Sequence, residues 1–240
     1  MTGVEALVRW NHPTRGLVPP MKFIPISEES GFIEPLGSWV LNEACRQLAE
    51  WQGQGITGIR VAVNLSPHQL RSATLVGQVE NVLQTHGLIG SDLELEVTET
   101  AAMDDPHLAV EQLKALRTLG VSLAIDDFGT GYSSLAYLKI LPIQVLKLDR
   151  SFVSDIGTGS DDDAISAATM AMARNLKLQV VAEGVETSMQ SEFLASHGCD
   201  ILQGYMFGKP SPAAVWTEIW LKEKDVSASA PLTISAHSPL

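Results

Sequence analysis

Polar side chains stand at the ends of apolar runs along much of this chain. Asn64 follows Val61-Ala62-Val63, and Glu94 and Glu96 alternate with Leu93, Leu95 and Val97. Asp126 and Asp127 follow Leu123-Ala124-Ile125, Lys147 and Asp149 alternate with Leu146 and Leu148, Glu183 follows Val180-Val181-Ala182, and Gln203 follows Ile201-Leu202. Each short apolar run reads as a buried strand. Alternate residues of a strand share a face, so Glu94 projects with Glu96 and Lys147 with Asp149. One such residue is explained by a helix cap or a loop contact. The series is not, because carboxylates brought together repel strongly and need cations between them. Hard oxygen donors without His or Cys suit Mg²⁺ or Mn²⁺. Clustered acids with a nearby Lys suit two-metal hydrolysis of a phosphoester.

The elements that must position these groups alternate. Strands are expected at Val4–Trp10, Ile59–Leu65, Leu93–Val97, Val121–Asp126, Gln144–Asp149, Leu178–Ala182 and Ile201–Gln203. Helical spacing is found at Gly37–Trp51, Leu75–Thr85, Pro106–Leu119, Ser134–Lys139, Asp161–Asn175, Ser188–Ser196 and Pro212–Lys222. Pro106 suits a first helical turn and Gly120 a helix stop. Repeated strand–helix units imply parallel strands covered by helices. An open doubly wound sheet is compatible with this order. The number of units and the 240-residue length favour a TIM-like (β/α)8 barrel with one strand short, sought at the N-terminus. In either fold the C-terminal strand ends carry the site.

The bulk properties narrow the partners. The formal net charge of -12 argues against a surface built for duplex nucleic acid. It does not exclude a small phosphate ligand, since divalent ions supply positive charge locally. The two cysteines, Cys45 and Cys199, form no CxxC pair and read as buried free thiols in a reducing cytoplasmic setting. No stretch has the length of a membrane span, and Met1-Thr2-Gly3-Val4-Glu5 is not a signal peptide. Gly129-Thr130-Gly131 lacks the third glycine of a dinucleotide turn and reads as a plain loop. Residues 225–240 read as a disordered tail, leaving 1–224 as one domain.

Taken in order, the motifs resemble those of the bacterial EAL-type cyclic di-GMP phosphodiesterases. The matching runs are Glu5-Ala6-Leu7-Val8-Arg9-Trp10, Asn64-Leu65-Ser66, Glu94-Leu95-Glu96-Val97-Thr98-Glu99 and Asp126-Asp127-Phe128-Gly129-Thr130-Gly131-Tyr132-Ser133-Ser134-Leu135. They continue through Lys147-Leu148-Asp149-Arg150, Ala182-Glu183-Gly184-Val185-Glu186-Thr187 and Gln203-Gly204-Tyr205-Met206-Phe207. The resemblance implies a TIM-like barrel holding two Mg²⁺ or Mn²⁺ ions, with Ca²⁺ inhibitory. It implies that Glu5, Asn64, Glu96, Asp126, Asp127 and Glu183 form the metal site. Glu183, Lys147 and Glu5 would be catalytic, either Glu183 or Lys147 handling the proton of the attacking water. Arg9, Asp149 and Gln203 would contact substrate or its surroundings, and Glu99 would anchor the loop Asp127–Leu135. The implied reaction is hydrolysis of cyclic di-GMP to linear pGpG. A homodimer, and a fused or associated sensory or GGDEF domain in the full-length protein, would be expected.

Family domains begin earlier, with a strand carrying a glutamine-proline motif, so the first strand and helix are expected to be missing here. That leaves a second expectation, a module that binds cyclic di-GMP with weak or no turnover. A third keeps the barrel and metals for another phosphoester. Glu5 also poses a problem of direction. It falls near the start of the expected strand Val4–Trp10, and could join the cluster only if that strand ran antiparallel or sat shifted along the barrel.

Overall fold

The computed structural model describes residues 2–129, 135–157 and 161–229. The strands are β1 (Gly3–Glu5), β2 (Trp10–His12), β3 (Gly16–Val18), β4 (Arg60–Leu65), β5 (Leu93–Thr98), β6 (Ser122–Phe128), β7 (Val145–Leu148), β8 (Gln179–Ala182) and β9 (Ile201–Leu202). The helices are α1 (Ile24–Glu29), α2 (Ile33–Gly53), α3 (Pro67–Arg71), α4 (Leu75–His86), α5 (Glu99–Asp104) and α6 (Pro106–Thr118). They continue as α7 (Leu135–Leu138), α8 (Arg150–Ser154), α9 (Asp161–Asn175), α10 (Ser188–Ser196) and α11 (Ala213–Ser229).

Seven strands form one parallel sheet in the order β1-β4-β5-β6-β7-β8-β9. The sheet curls, because Gln203, just past β9, reaches Glu5 at the end of β1. Both faces are covered, as parallel strands require. Leu93, Leu95 and Val97 of β5 and Leu123 and Ile125 of β6 face outward into the main core beneath the helices. On the inner side, Ala124, Val145 and Val181 with Ile201 make a separate, small lumen cluster. Polar layers therefore flank a narrow apolar plug.

Helix α2 shows why the outer layer forms. Leu41, Ala44, Cys45, Leu48 and Trp51 are buried at helical spacing, on the face that packs against α4 and β4. Each fully buried Leu contributes about 2 kcal/mol relative to exposure. Helix α3 begins with Pro67 in its first turn, and Ser66 and Gln69 close a capping box.

Three expectations are corrected. The strand placed at Val4–Trp10 is two elements, since β1 stops at Glu5 and Trp10 opens a separate hairpin, β2 pairing with β3 around Pro13-Thr14-Arg15. Proline offers no backbone N–H and pre-sets a turn, so Pro13 closes β2 after His12. Glu5 therefore ends a strand that runs parallel to β4, in register with Ala62, and reaches the site end without reversal or shift. Finally, α11 runs to Ser229, over the start of the segment expected to be a tail, while residues 230–240 lie outside the described ones.

Candidate active site

The cluster is built around one lysine. Lys147 projects into the lumen from β7 with a side chain only 2% exposed. Its Nζ lies 2.7 Å from Glu96 Oε1, 2.6 Å from Glu183 Oε1, 3.5 Å from Asp126 Oδ1 and 3.8 Å from Glu5 Oε2. Four strand ends thus deliver a carboxylate to one ammonium. Burial opposes the lysine charge, but Glu96, Glu5, Glu183 and Asp126 outweigh it and hold the ammonium well above the ordinary lysine pKa.

The acids feel the same competition with the opposite outcome. Burial raises the Glu96 carboxyl well above its ordinary range; Lys147 opposes the rise, and Glu5 and Asp126 add to it. Glu183 is pushed up to about 7, first by burial, with Lys147 opposing and Asp126 reinforcing. Asp127 is raised by burial and then by Asp126 and Asp149. A carboxyl near 7 is poised to exchange a proton at neutral pH.

Two amides orient Glu5. Asn64 Nδ2, from β4, donates to Glu5 Oε1 at 2.8 Å, and Gln203 Nε2 donates to Oε2 at 2.7 Å. Asp126 Oδ1 accepts the Asp127 backbone N–H at 2.9 Å, where Asp127 takes the left-handed φ of 53°. That conformation is uncommon for a non-glycine residue and marks a constrained turn at the strand end.

The remaining candidates divide. Glu99 opens α5 directly after β5, placed there by Thr98, whose hydroxyl caps the Ala101 N–H. Its buried Oε2 accepts the Gly129 N–H at 3.1 Å, so it holds the start of the loop after β6; residues 130–134 of that loop lie outside the described ones. Asp149 caps α8, accepting from the Ser151 N–H at 3.0 Å, and adds its charge to the field at Asp127. Arg9 stands apart from the lysine, exposed, donating to the Val8 carbonyl at 2.8 Å.

Sequence reasoning placed Glu94 beside Glu96 but missed its partners. Arg60 Nη1 donates to Glu94 Oε2 at 3.0 Å and Ser122 Oγ donates to the same oxygen at 2.8 Å. The signal was available: Arg60 precedes Asn64 by four residues and Ser122 precedes Asp126 by four, so each shares a face with a site residue. Of the two thiols expected to be buried, Cys45 is, whereas Cys199 is half-buried; both are free, and burial pushes them up to about 12 and about 11. No helix among the described residues is long and apolar enough to cross a membrane.

The donor set suits hard divalent cations. All candidate ligands offer oxygen, and Glu96 Oε2 is buried without a hydrogen-bond partner. As they stand, no three acids among the described residues converge into a closed ion cage, and Lys147 lies between them.

Comparison with known proteins decides the family. Residues 1–210 match the family model described as the EAL domain. The chain belongs to the EAL domain family. Among curated EAL proteins it is 51% identical over 213 residues to the bifunctional diguanylate cyclase/cyclic di-GMP phosphodiesterase MucR of Pseudomonas aeruginosa, covering 89% of this chain and 31% of MucR. It is 49% identical over 229 residues to the cyclic di-GMP phosphodiesterase NbdA of the same organism, covering 95% of this chain and 29% of NbdA. The chain thus spans less than a third of the length of these relatives. The fold superposes with a TM-score of 0.87 on a structure described as the PaMucR phosphodiesterase in complex with c-di-GMP, at 50% identity, covering 90% of this chain and 87% of that one. A second EAL enzyme, Bd1971 in its cAMP- and cyclic di-GMP-bound form, superposes with a TM-score of 0.86 at 34% identity, covering 91% of this chain and 60% of that one.

Proposed function

We propose that this EAL domain hydrolyses cyclic di-GMP to linear pGpG at the carboxylate cluster around Lys147. The observation that carries the reading is the convergence of Glu5, Glu96, Asp126 and Glu183 on one buried ammonium at the C-terminal end of the sheet. The naming of MucR and NbdA as cyclic di-GMP phosphodiesterases supports the substrate.

Two Mg²⁺ or Mn²⁺ ions would be held by Glu5, Asn64, Glu96, Asp126, Asp127 and Glu183. When bound, such ions supply positive charge at the attacked phosphate and acidify water. The protein's own groups do the rest. Glu183 accepts a proton from the attacking water, which it faces beside Lys147. Lys147 stays charged and orients that water through its N–H donors. Asn64 and Gln203 fix the rotation of Glu5. Arg9 and Asp149 would contact substrate, and Glu99 steadies the loop after β6 through the Gly129 N–H. Ca²⁺ inhibits in this scheme, because its longer and looser coordination misplaces the water.

The wider setting belongs to the same proposal: a cytoplasmic homodimeric enzyme, with a sensory or GGDEF domain in the full-length protein. A second reading, a module that holds cyclic di-GMP with little turnover, is favoured by the edge of β1 beside Glu5, which among the described residues pairs with β4 alone. Release of pGpG with Mg²⁺ or Mn²⁺ separates the two. Turnover lost in Glu5→Ala and Glu183→Ala, with both variants folded, is the expected result. Tight binding without product from the folded, metal-loaded chain would establish the second reading instead.

A further inference from the structure

Beneath the acid cluster lies a second polar layer. Glu94 stands two residues before Glu96 on the lumen side of β5 and is 7% exposed. Its Oε2 receives Arg60 Nη1 at 3.0 Å and Ser122 Oγ at 2.8 Å, and Arg60 Nη1 also reaches Ser122 Oγ at 3.3 Å. The three side chains come from adjacent strands β4, β5 and β6. A cavity of about 60 Å³ is lined by Arg60 and Glu94 of this floor and by Glu5, Glu96, Lys147 and Gln203 of the site.

Glu94 and Glu96 are therefore rival anions facing one space. Lysine is a point charge on a flexible four-carbon stem, able to follow whichever carboxylate is unpaired. A buried carboxylate stripped of its partner is costly and draws in the nearest cation. We propose that Arg60 is a positioning residue for the acid cluster: with Ser122 it holds the Glu94 charge on the barrel floor, so that Lys147 stays with Glu96 and Glu183. The inference rests on the hydrolytic reading of the site and adds a residue to it.

Removing Arg60 has two consequences of opposite sign. An extra uncompensated negative charge sits below the cluster, and divalent cations bind it more tightly. Lys147 is pulled toward Glu94 and away from the attacking water, and turnover falls. A purely structural role would weaken both together.

The experiment compares Arg60→Gln, the double variant Arg60→Gln/Glu94→Gln, and Ser122→Ala. Mn²⁺ affinity is read by electron paramagnetic resonance without substrate, kcat from pGpG release, and folding from thermal melts. Arg60→Gln is expected to bind Mn²⁺ about threefold more tightly and to turn over about tenfold more slowly. The double variant, which has no floor charge to balance, returns both values to within about twofold of the parent. Wild-type values in Arg60→Gln, weaker Mn²⁺ binding, or a double variant as impaired as the single would each overturn the proposal. Should Arg60→Gln fail to fold, Ser122→Ala decides: the same shifts of about twofold support it, and unchanged values overturn it. If the parent chain shows no turnover, the hydrolytic reading fails, while the Mn²⁺ arm still tests the role of Arg60.

Discussion

At the scale of single residues, the site is a balance between one ammonium and several acids, and each side is testable. Lys147→Met removes the cation but leaves Glu96 and Glu183 buried. The metal-free protein should lose about 3 kcal/mol of stability, as when one partner of a buried pair is deleted. Added Mn²⁺ should restore much of it, because the ion supplies the missing charge; a melting temperature equal to the parent's would refute the balance. Glu183 gives a pH dependence with a definite sign. Its carboxyl is raised in the fold from 4.5 to about 7, so between those values the native state holds a proton that the unfolded chain has lost. Metal-free stability should therefore fall as pH rises through that window, by at most about 3 kcal/mol. Chemical denaturation at pH 5 and pH 7.5 measures it, and Glu183→Gln should flatten the slope. Most of these residues were legible in the sequence, because Glu96, Asp126, Lys147 and Glu183 interrupt or end apolar runs with strand periodicity. The floor pair was legible only in part: the four-residue spacing puts Arg60 on the face of Asn64, but its partners Glu94 and Ser122 come from other strands.

At the scale of elements, the loops after β7 and β8 are packed as one piece. Gly184 follows Glu183 at φ 70°, and a methyl group there would run into the stem of Arg150, at the start of α8. Arg150 in turn pairs with Glu186 at 2.8 Å, and Gln190 Nε2 of α10 donates to the Ser154 carbonyl at 3.3 Å. Gly184→Ala should cost about 1–2 kcal/mol through backbone strain and overlap, and should lower kcat by shifting Glu183. Gly77→Ala is the control, since nothing lies within 4 Å of the added carbon in α4 and helix propensity improves by about 0.5–1 kcal/mol. Equal melting temperatures for the two variants would refute the packing argument. Long elements such as α2, α6 and β4 to β8 were readable from periodicity and caps. Short ones were not: the expected strand Val4–Trp10 stops at Glu5, residues 6–9 form no strand, and Trp10 opens a hairpin. Propensity alone places no boundary between Ala6 and Trp10.

At the scale of the whole molecule, the sheet has a stable middle and two open edges. Among the described residues, strands β4 to β8 have neighbours on both sides, whereas β1 pairs with β4 alone and β9 with β8 alone. Amide exchange should be slowest in β5 and β6 and fastest among the strands at Gly3–Glu5 and Ile201–Leu202. Uniform protection across the sheet, read by mass spectrometry, would contradict this. Beside β1 a cavity of about 480 Å³ lies between α2 and the start of α11, lined by Leu7, Trp39, Trp51 and Trp216 among others. The weakly held edge and the apolar hollow coincide. The seven strands of the parallel sheet were foreseeable from the alternating pattern; the β2–β3 hairpin was not. The curl was expected with the TIM-like barrel; the Gln203–Glu5 bond that ties its two ends was not, because it joins residues far apart in the chain.

The Gln203–Glu5 hydrogen bond acquires a mechanical meaning from this. Glu96, Asp126 and Lys147 ride on strands whose spacing is set by ladders on both flanks. Glu5 is aligned from one side by Asn64 and from the other by a single side-chain bond of 2.7 Å across the seam. Hydrogen bonds weaken steeply beyond about 3.5 Å, so widening that junction by roughly one ångström releases one oxygen of one acid. The seam is thus a strain gauge wired to the site: a slight breathing of the barrel's circumference is read out as the rotation of Glu5, while the rest of the cluster holds still.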